Sequence, residues 1–141
     1  MDNIRLTYEV EGGDLTQAGE ASAQVKQTLR KLGFDPDTIR RVSVCMYEGE
    51  INMVIHADGG QAEVEIDPGQ IRICMTDTGP GIPDVQQAMQ EGFSTAGQTA
   101  RELGFGAGMG LPNIKRYSDE MHIDTQLGKG TTVTVLIKIP Q

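Results

Sequence analysis

The sequence predicts an α/β (α+β) two-layer sandwich, with a mixed, largely antiparallel sheet of about five strands and three main helices on one face. Three observations predict it. Stretches with period-two alternation come in pairs joined by short glycine-bearing turns, the way antiparallel neighbours are connected. Longer stretches between them carry apolar residues at helical spacing. No internal repeat or linker-like run interrupts the chain, so residues 1–141 are expected to form a single domain.

The elements follow in order. Ile4, Leu6, Tyr8 and Val10 alternate with polar residues, the mark of a half-buried strand. After Gly12 and Gly13 the period changes, and Leu15, Ala18, Val25, Leu29 and Leu32 recur at helical spacing up to Gly33, a left-handed stop. Asp35 and Pro36 are an N-cap and first-turn pair opening a second helix, whose apolar stripe reads Val44, Ile51 and Ile55 and which runs to Gly59 and Gly60. Ala62, Val64 and Ile66 and then Ile71, Ile73 and Met75 form a hairpin over 61–77, with Pro68-Gly69 fitting a type II turn. A long segment from Asp84 to Gly110 precedes a third helix carrying Leu111, Ile114, Tyr117 and Met121. A last hairpin pairs 121–127 with 131–139 across Gly128-Lys129-Gly130.

Charge narrows the function. Twelve Lys and Arg against twenty Asp and Glu leave a net charge of -8, which argues against a nucleic-acid partner and favours a protein one. No apolar run approaches the roughly 20 residues of a membrane span, and the N-terminus lacks a signal-peptide layout, so a cytoplasmic protein with no membrane partner is expected. Cys45 and Cys74 lie in apolar stretches without a ligand cluster and read as buried reduced thiols. An acidic chain that binds a triphosphate must neutralise it locally, through a metal, backbone N–H groups and a few chosen cations.

Glu48 and Asn52 stand i, i+4 on the second helix, neighbours at about 6 Å between Cβ atoms. From these two residues alone a surface pair at the helix edge is the better reading. Gly49 weighs against that, because a mid-helix glycine costs up to about 1 kcal/mol relative to alanine and calls for a reason such as close approach. Asp77 ends a strand and leads into Thr78-Gly79-Pro80-Gly81-Ile82, where a carboxylate is placed to accept from an exocyclic amino group and the glycines allow backbone approach. An ordinary Asp turn uses the same residues. The strongest feature is Gly104, Gly106, Gly108 and Gly110, alternating with other residues directly before Leu111 and a helix. Such a run can turn successive N–H groups toward one anion, with the helix N-terminus behind it, so phosphate is the expected ligand. The spacing is not that of a P-loop, and no parallel βαβ pattern surrounds it. Arg101, Lys115 and Arg116 bracket the loop as candidate cations.

Taken in order, Glu48-x-x-x-Asn52, Asp77-x-Gly79-x-Gly81, Gly104-x-Gly106-x-Gly108-x-Gly110 and Gly128-Lys129-Gly130-Thr131-Thr132 resemble the nucleotide boxes of the GHKL (Bergerat-fold) ATPases, over roughly residues 35–137. Within that superfamily the chain resembles bacterial anti-sigma factor kinases. The stretches 88–95 and 110–116 look like the serine/threonine switch kinases of stress signalling. The resemblance implies ATP and Mg2+ as cofactors, Glu48 as general base, Asn52 as magnesium ligand, Asp77 as the adenine contact and the 104–110 loop around the phosphates. It extends the nucleotide site to Gly79, Gly81, Ile82, Leu111, Thr131 and Thr132, and implies a mobile ATP lid over about 84–103 with Arg101 as its phosphate cation. Gly49 and Glu50 depart from the small apolar pair more usual after the catalytic Glu.

The expected function is therefore phosphoryl transfer from ATP to a serine or threonine of a STAS-domain (anti-anti-sigma-like) regulatory protein. Two alternatives keep the same pocket: a nucleotide-dependent anti-sigma factor that binds a sigma factor with little turnover, and an ATPase using water. The apolar N-terminal strand at a sheet edge adds homodimerisation as an expectation.

Overall fold

The computed structural model describes residues 3–13, 18–57, 59–90 and 110–140. In chain order these form β1 (Ile4–Glu11), α1 (Glu20–Lys31), α2 (Pro36–His56), β2 (Gly59–Ile66), β3 (Gln70–Asp77), a short α3 (Val85–Ala88), α4 (Gly110–Tyr117), β4 (Glu120–Gln126) and β5 (Gly130–Lys138). The strands make one sheet in the order β1-β2-β3-β5-β4. Every neighbouring pair is antiparallel, so the sheet is not mixed. Two helices rather than one join β1 to β2, and the second reverses the chain again, so β2 re-enters against β1.

Strand alternation places the core between sheet and helices. Val64, Ile66, Ile71, Ile73, Val135 and Ile137 face Val25 and Leu29 of α1, Val42 and Met46 of α2, and Ile114 of α4 in one buried cluster. The caps form as read. Gly33 takes φ +82°, and Asp35 accepts from the Thr38 backbone N–H at 3.0 Å.

Five local expectations are corrected. The buried stripe of α2 runs through Ile39, Val42, Cys45, Met46, Gly49 and Met53, whereas Val44 and Ile55 are half-buried on its flanks. A 21-residue helix touching both the sheet and two other helices buries more than one face, so a single-stripe wheel misplaces its centre. Leu32 is 42% exposed because α1 ends at Lys31. Met121 lies in β4, after α4 has closed at Tyr117. The Pro68-Gly69 turn is not type II, since Gly69 has no positive φ. Instead Asp67 Oδ1 accepts from the N–H groups of both Gly69 and Gln70 at 2.8 Å, an Asp-closed turn. Finally, Cys74 is only half-buried, on the outer face of β3.

Glu50, a departure from the family pattern, has a structural task. It is 3% exposed, and its two carboxylate oxygens accept from the backbone N–H groups of Ala21 and Ser22, each at 3.1 Å. Helix α1 starts from Gly19 at φ +95° with no side-chain cap of its own, so a residue of α2 closes its N-terminus.

Candidate functional site

Three elements converge beside α2. The first is the helix itself, which projects Glu48 and Asn52 from one flank, both half-buried. The second is the N-terminus of α4. A Cβ on Gly110 would lie 3.1 Å from Asn52 Oδ1 and 3.3 Å from Glu48 Oε2, so the first residue of α4 sits directly against the pair. Helix α4 is held there from several sides. Leu111 and Ile114 are buried in the core, Cys45 Sγ donates to the Ile114 carbonyl at 3.7 Å, and Arg41 of α2 donates to the Tyr117 carbonyl at 3.0 Å and to Asp119 at 2.9 Å.

Burial raises the proton affinity of Glu48 above that of an ordinary glutamate, and a side-chain hydrogen bond from Asn113 of α4 partly offsets this. Asn113 received no role in the sequence. Its i, i+3 spacing from Gly110 on α4 was the available signal, but which turn of α4 faces Glu48 is a tertiary matter.

The third element is the turn after β3. Asp77 Oδ1 accepts from the N–H groups of Gly79 at 2.9 Å and of Thr131 at 3.2 Å. The Asp turn thus occupies Oδ1 and leaves Oδ2 without a partner among the described residues. The turn is tied to the β4–β5 hairpin: Thr125 Oγ1 accepts from the Ile82 N–H at 2.9 Å and pairs with Thr131 Oγ1 at 2.8 Å, while Gly128 N–H donates to the Pro80 carbonyl at 2.8 Å. Thr125 is a second residue the sequence reading missed.

The glycines of this turn are needed by the protein itself. A Cβ on Gly79 would meet Ala57 at 2.6 Å, and one on Gly81, at φ +83°, would meet the Gln126 carbonyl oxygen at 2.6 Å. Gly79 thereby seats the turn against the C-terminus of α2. From Glu48 to Ala57 the helix advances about 13 Å, which separates the Asp77 end of the site from the Gly110 end.

Thr131 is 7% exposed and belongs to this network. Thr132 pairs with Thr76 and Asp124 on the ladder and falls on the other sheet face by strand alternation. Lys115 and Arg116 occupy the last turn of α4, exposed, at the opposite end from Gly110. There they complement the helix C-terminus, and the loop they are expected to bracket lies outside the described residues. Arg101, Gly104, Gly106 and Gly108, and the lid beyond Gln90, lie outside the described residues. The first part of the lid segment contains α3, capped by Asp84, which accepts from the Gln87 N–H at 3.1 Å.

The donor set suits a metal carried in by phosphate. Among the described residues no group of three or more His, Cys, Asp and Glu is placed to hold a metal. An ion at Asn52 would therefore take its other oxygen ligands from phosphate and water, as magnesium commonly does. Glycine at 110 leaves space against Asn52 Oδ1 and Glu48 Oε2 that a side chain would fill.

Residues 38–141 match the family described as histidine kinase-, DNA gyrase B- and HSP90-like ATPases. The chain belongs to this family. Among curated relatives it is 33% identical over 115 residues to the serine/threonine-protein kinase RsbT of Bacillus subtilis (strain 168), covering 79% of this chain and 80% of that one. It is 30% identical over 129 residues to the anti-sigma F factor of Pasteuria penetrans, covering 85% and 83%. Among solved structures, the SiaB-SiaC complex from Pseudomonas aeruginosa superposes with a TM-score of 0.63 at 14% identity over 94% of this chain and 88% of that one. A Mycobacterium tuberculosis protein containing RsbU and RsbW domains gives 0.63 at 16% identity over all of this chain and 33% of that one. At such identities these two support the fold alone. No helix among the described residues is long and apolar enough to cross a membrane.

Proposed function

We propose that this chain is an ATP-dependent protein serine/threonine kinase of the anti-sigma or switch type, one cytoplasmic domain that phosphorylates a STAS-domain regulatory protein. The observation that carries the reading is the meeting of Glu48 and Asn52 with Gly110 at the N-terminus of α4. A carboxylate of raised proton affinity, an amide oxygen and a helix N-terminus at one point are the groups that phosphoryl transfer calls for.

MgATP, when bound, supplies an activated γ-phosphoryl group with its charge partly neutralised. The chain's residues do the rest. Glu48 accepts the proton of the acceptor hydroxyl, and burial makes it a stronger base than a solvated glutamate. Asn52 would hold the metal ion that accompanies the nucleotide. Asp77, held through Oδ1 by Gly79 and Thr131, presents Oδ2 to the adenine amino group. Gly104, Gly106 and Gly108 are assigned to the phosphates, and Arg101 to the lid cation, from the sequence motif alone.

One observation favours a second reading. The 30% identity to an anti-sigma F factor fits a module that binds a sigma factor under nucleotide control with little turnover. Labelled ATP with STAS-domain proteins separates the two. The kinase reading expects phosphate on a serine or threonine of the partner, lost in Glu48→Gln and Asn52→Ala. Tight nucleotide-dependent partner binding without transfer would replace it with the anti-sigma reading. Unchanged adenine nucleotide affinity in Asp77→Asn would remove the nucleotide assignment altogether.

A further inference from the structure

On the side of α2 that faces α1, the two helices enclose an open groove of about 840 Å³ that reaches the candidate site at Glu48. Small side chains, Ser22 and Ala23 of α1 and Ser43 of α2, make room for it, and Phe34, Ile39 and Val44 give it an apolar floor. At one end stand Tyr47, which is 37% exposed, and Glu48. Glu48 thus lines the groove and also reaches Gly110.

The α1 side of the groove is positively charged. Lys26 and Arg30 stand i, i+4 on the groove wall, both exposed. Among the described residues neither has a carboxylate in ion-pair range. Two uncompensated like charges one turn apart are mildly unfavourable in the free protein, in a chain whose net charge is -8. An acidic partner removes that repulsion.

Shape selects the form of the partner. The α1 wall from Ser22 to Arg30 runs about 12 Å, two turns of helix. Walls made of helices offer no free strand edge to pair the N–H and C=O groups of an extended peptide, so a segment that satisfies its own backbone bonds fits better.

We propose that the α1–α2 groove docks an amphipathic helix of a partner protein, apolar on the face against Ile39 and Val44 and acidic on the flank against Lys26 and Arg30, with one end at Glu48. The inference rests on the kinase reading only for the role of Glu48, where the docked helix brings the acceptor hydroxyl to the general base.

The test uses the full chain, 15N-labelled, and a synthetic amphipathic helix of about four turns with leucines on one face and Asp and Glu on the flanks. A second peptide carries Lys at each acidic position. The acidic peptide is expected to shift the amide signals of Ser22, Lys26, Arg30, Ser43 and Tyr47, to bind more weakly as salt rises, and to lose at least about tenfold in affinity in the double variant K26E/R30E. Val44→Glu, on the floor, is expected to weaken it through contact rather than charge. Shifts elsewhere or none, equal binding of the Lys peptide, or an unchanged affinity in K26E/R30E would overturn the proposal. MgATP titrated into wild type and K26E/R30E keeps the two readings apart. Equal affinity in both, with no peptide response, removes the groove alone, whereas no MgATP binding in wild type, with the peptide still docking, removes the nucleotide reading alone.

Discussion

Gly110 opens α4 so close to Asn52 that a Cβ there would lie 3.1 Å from the amide oxygen. That separation is tight enough to push the side chain aside without breaking the fold. Gly110→Ala is accordingly expected to keep its Tm, since alanine favours the helix by up to about 1 kcal/mol over glycine. MgATP affinity should fall by about tenfold as Asn52 and Glu48 are displaced, about 1.4 kcal/mol. Calorimetry of folding and of MgATP binding on the same sample checks both halves, and parallel loss of both would remove the functional reading of this contact.

Glu48 makes activity depend on pH in a definite direction. Its carboxyl titrates above the usual range because it is buried, with Asn113 pulling the other way. As a base it must be ionised, so transfer is expected to fall as pH drops through this raised pKa, above the value of about 4.3 for a free glutamate. Asn113→Ala removes the opposing bond and should move the acid limb to higher pH. A pH profile of label transfer for the two proteins reads the shift.

The same residue affects stability. A folded pKa above the unfolded one means that the contribution of Glu48 is full below the unfolded value and lost as pH rises through the folded value. Glu48→Gln is therefore expected to raise Tm at neutral pH by about 2 °C, an effect kept small by partial solvent exposure, and to lose this advantage in acid. A lower Tm at pH 7 would contradict the assignment of burial as the dominant cause.

Glu50 predicts the opposite. Truncation to alanine leaves the N–H groups of Ala21 and Ser22 without acceptors in a buried place and removes the cap of α1. A loss of about 2–3 kcal/mol is expected, or roughly 5–10 °C in Tm. Glu50→Gln keeps one acceptor and should lose less. Thermal denaturation of the two variants ranks them.

The two cysteines should separate cleanly. Burial pushes the Cys45 thiol up to about 12, and its Sγ faces the Ile114 carbonyl, whereas Cys74 is half-buried on the outer sheet face. A thiol-disulfide reagent at mildly alkaline pH is expected to titrate one thiol in the native protein and two after denaturation. Cys74→Ser should abolish the native reaction.

The sequence by itself determined the strands, the helix caps and the order of the motifs. These rest on local rules, namely alternation in strands, Asp35 before Pro36, and Gly33 where only a left-handed residue ends α1. It also marked Glu48 and Asn52, through their i, i+4 spacing around a costly mid-helix glycine, and Asp77, through its place at a strand end before a glycine turn. Only the tertiary structure decided what those groups meet. Asn113, Thr125 and Arg41 act on the site from elements far along the chain, and spacing within one helix or strand cannot show which turn faces which neighbour. Glu50 makes the point most directly. In the sequence it is one more acidic residue two positions after Glu48. In the fold, 100° per residue turns it away from the nucleotide side and onto the start of α1, so the neighbouring carboxylate becomes part of the framework that holds the proposed base in place.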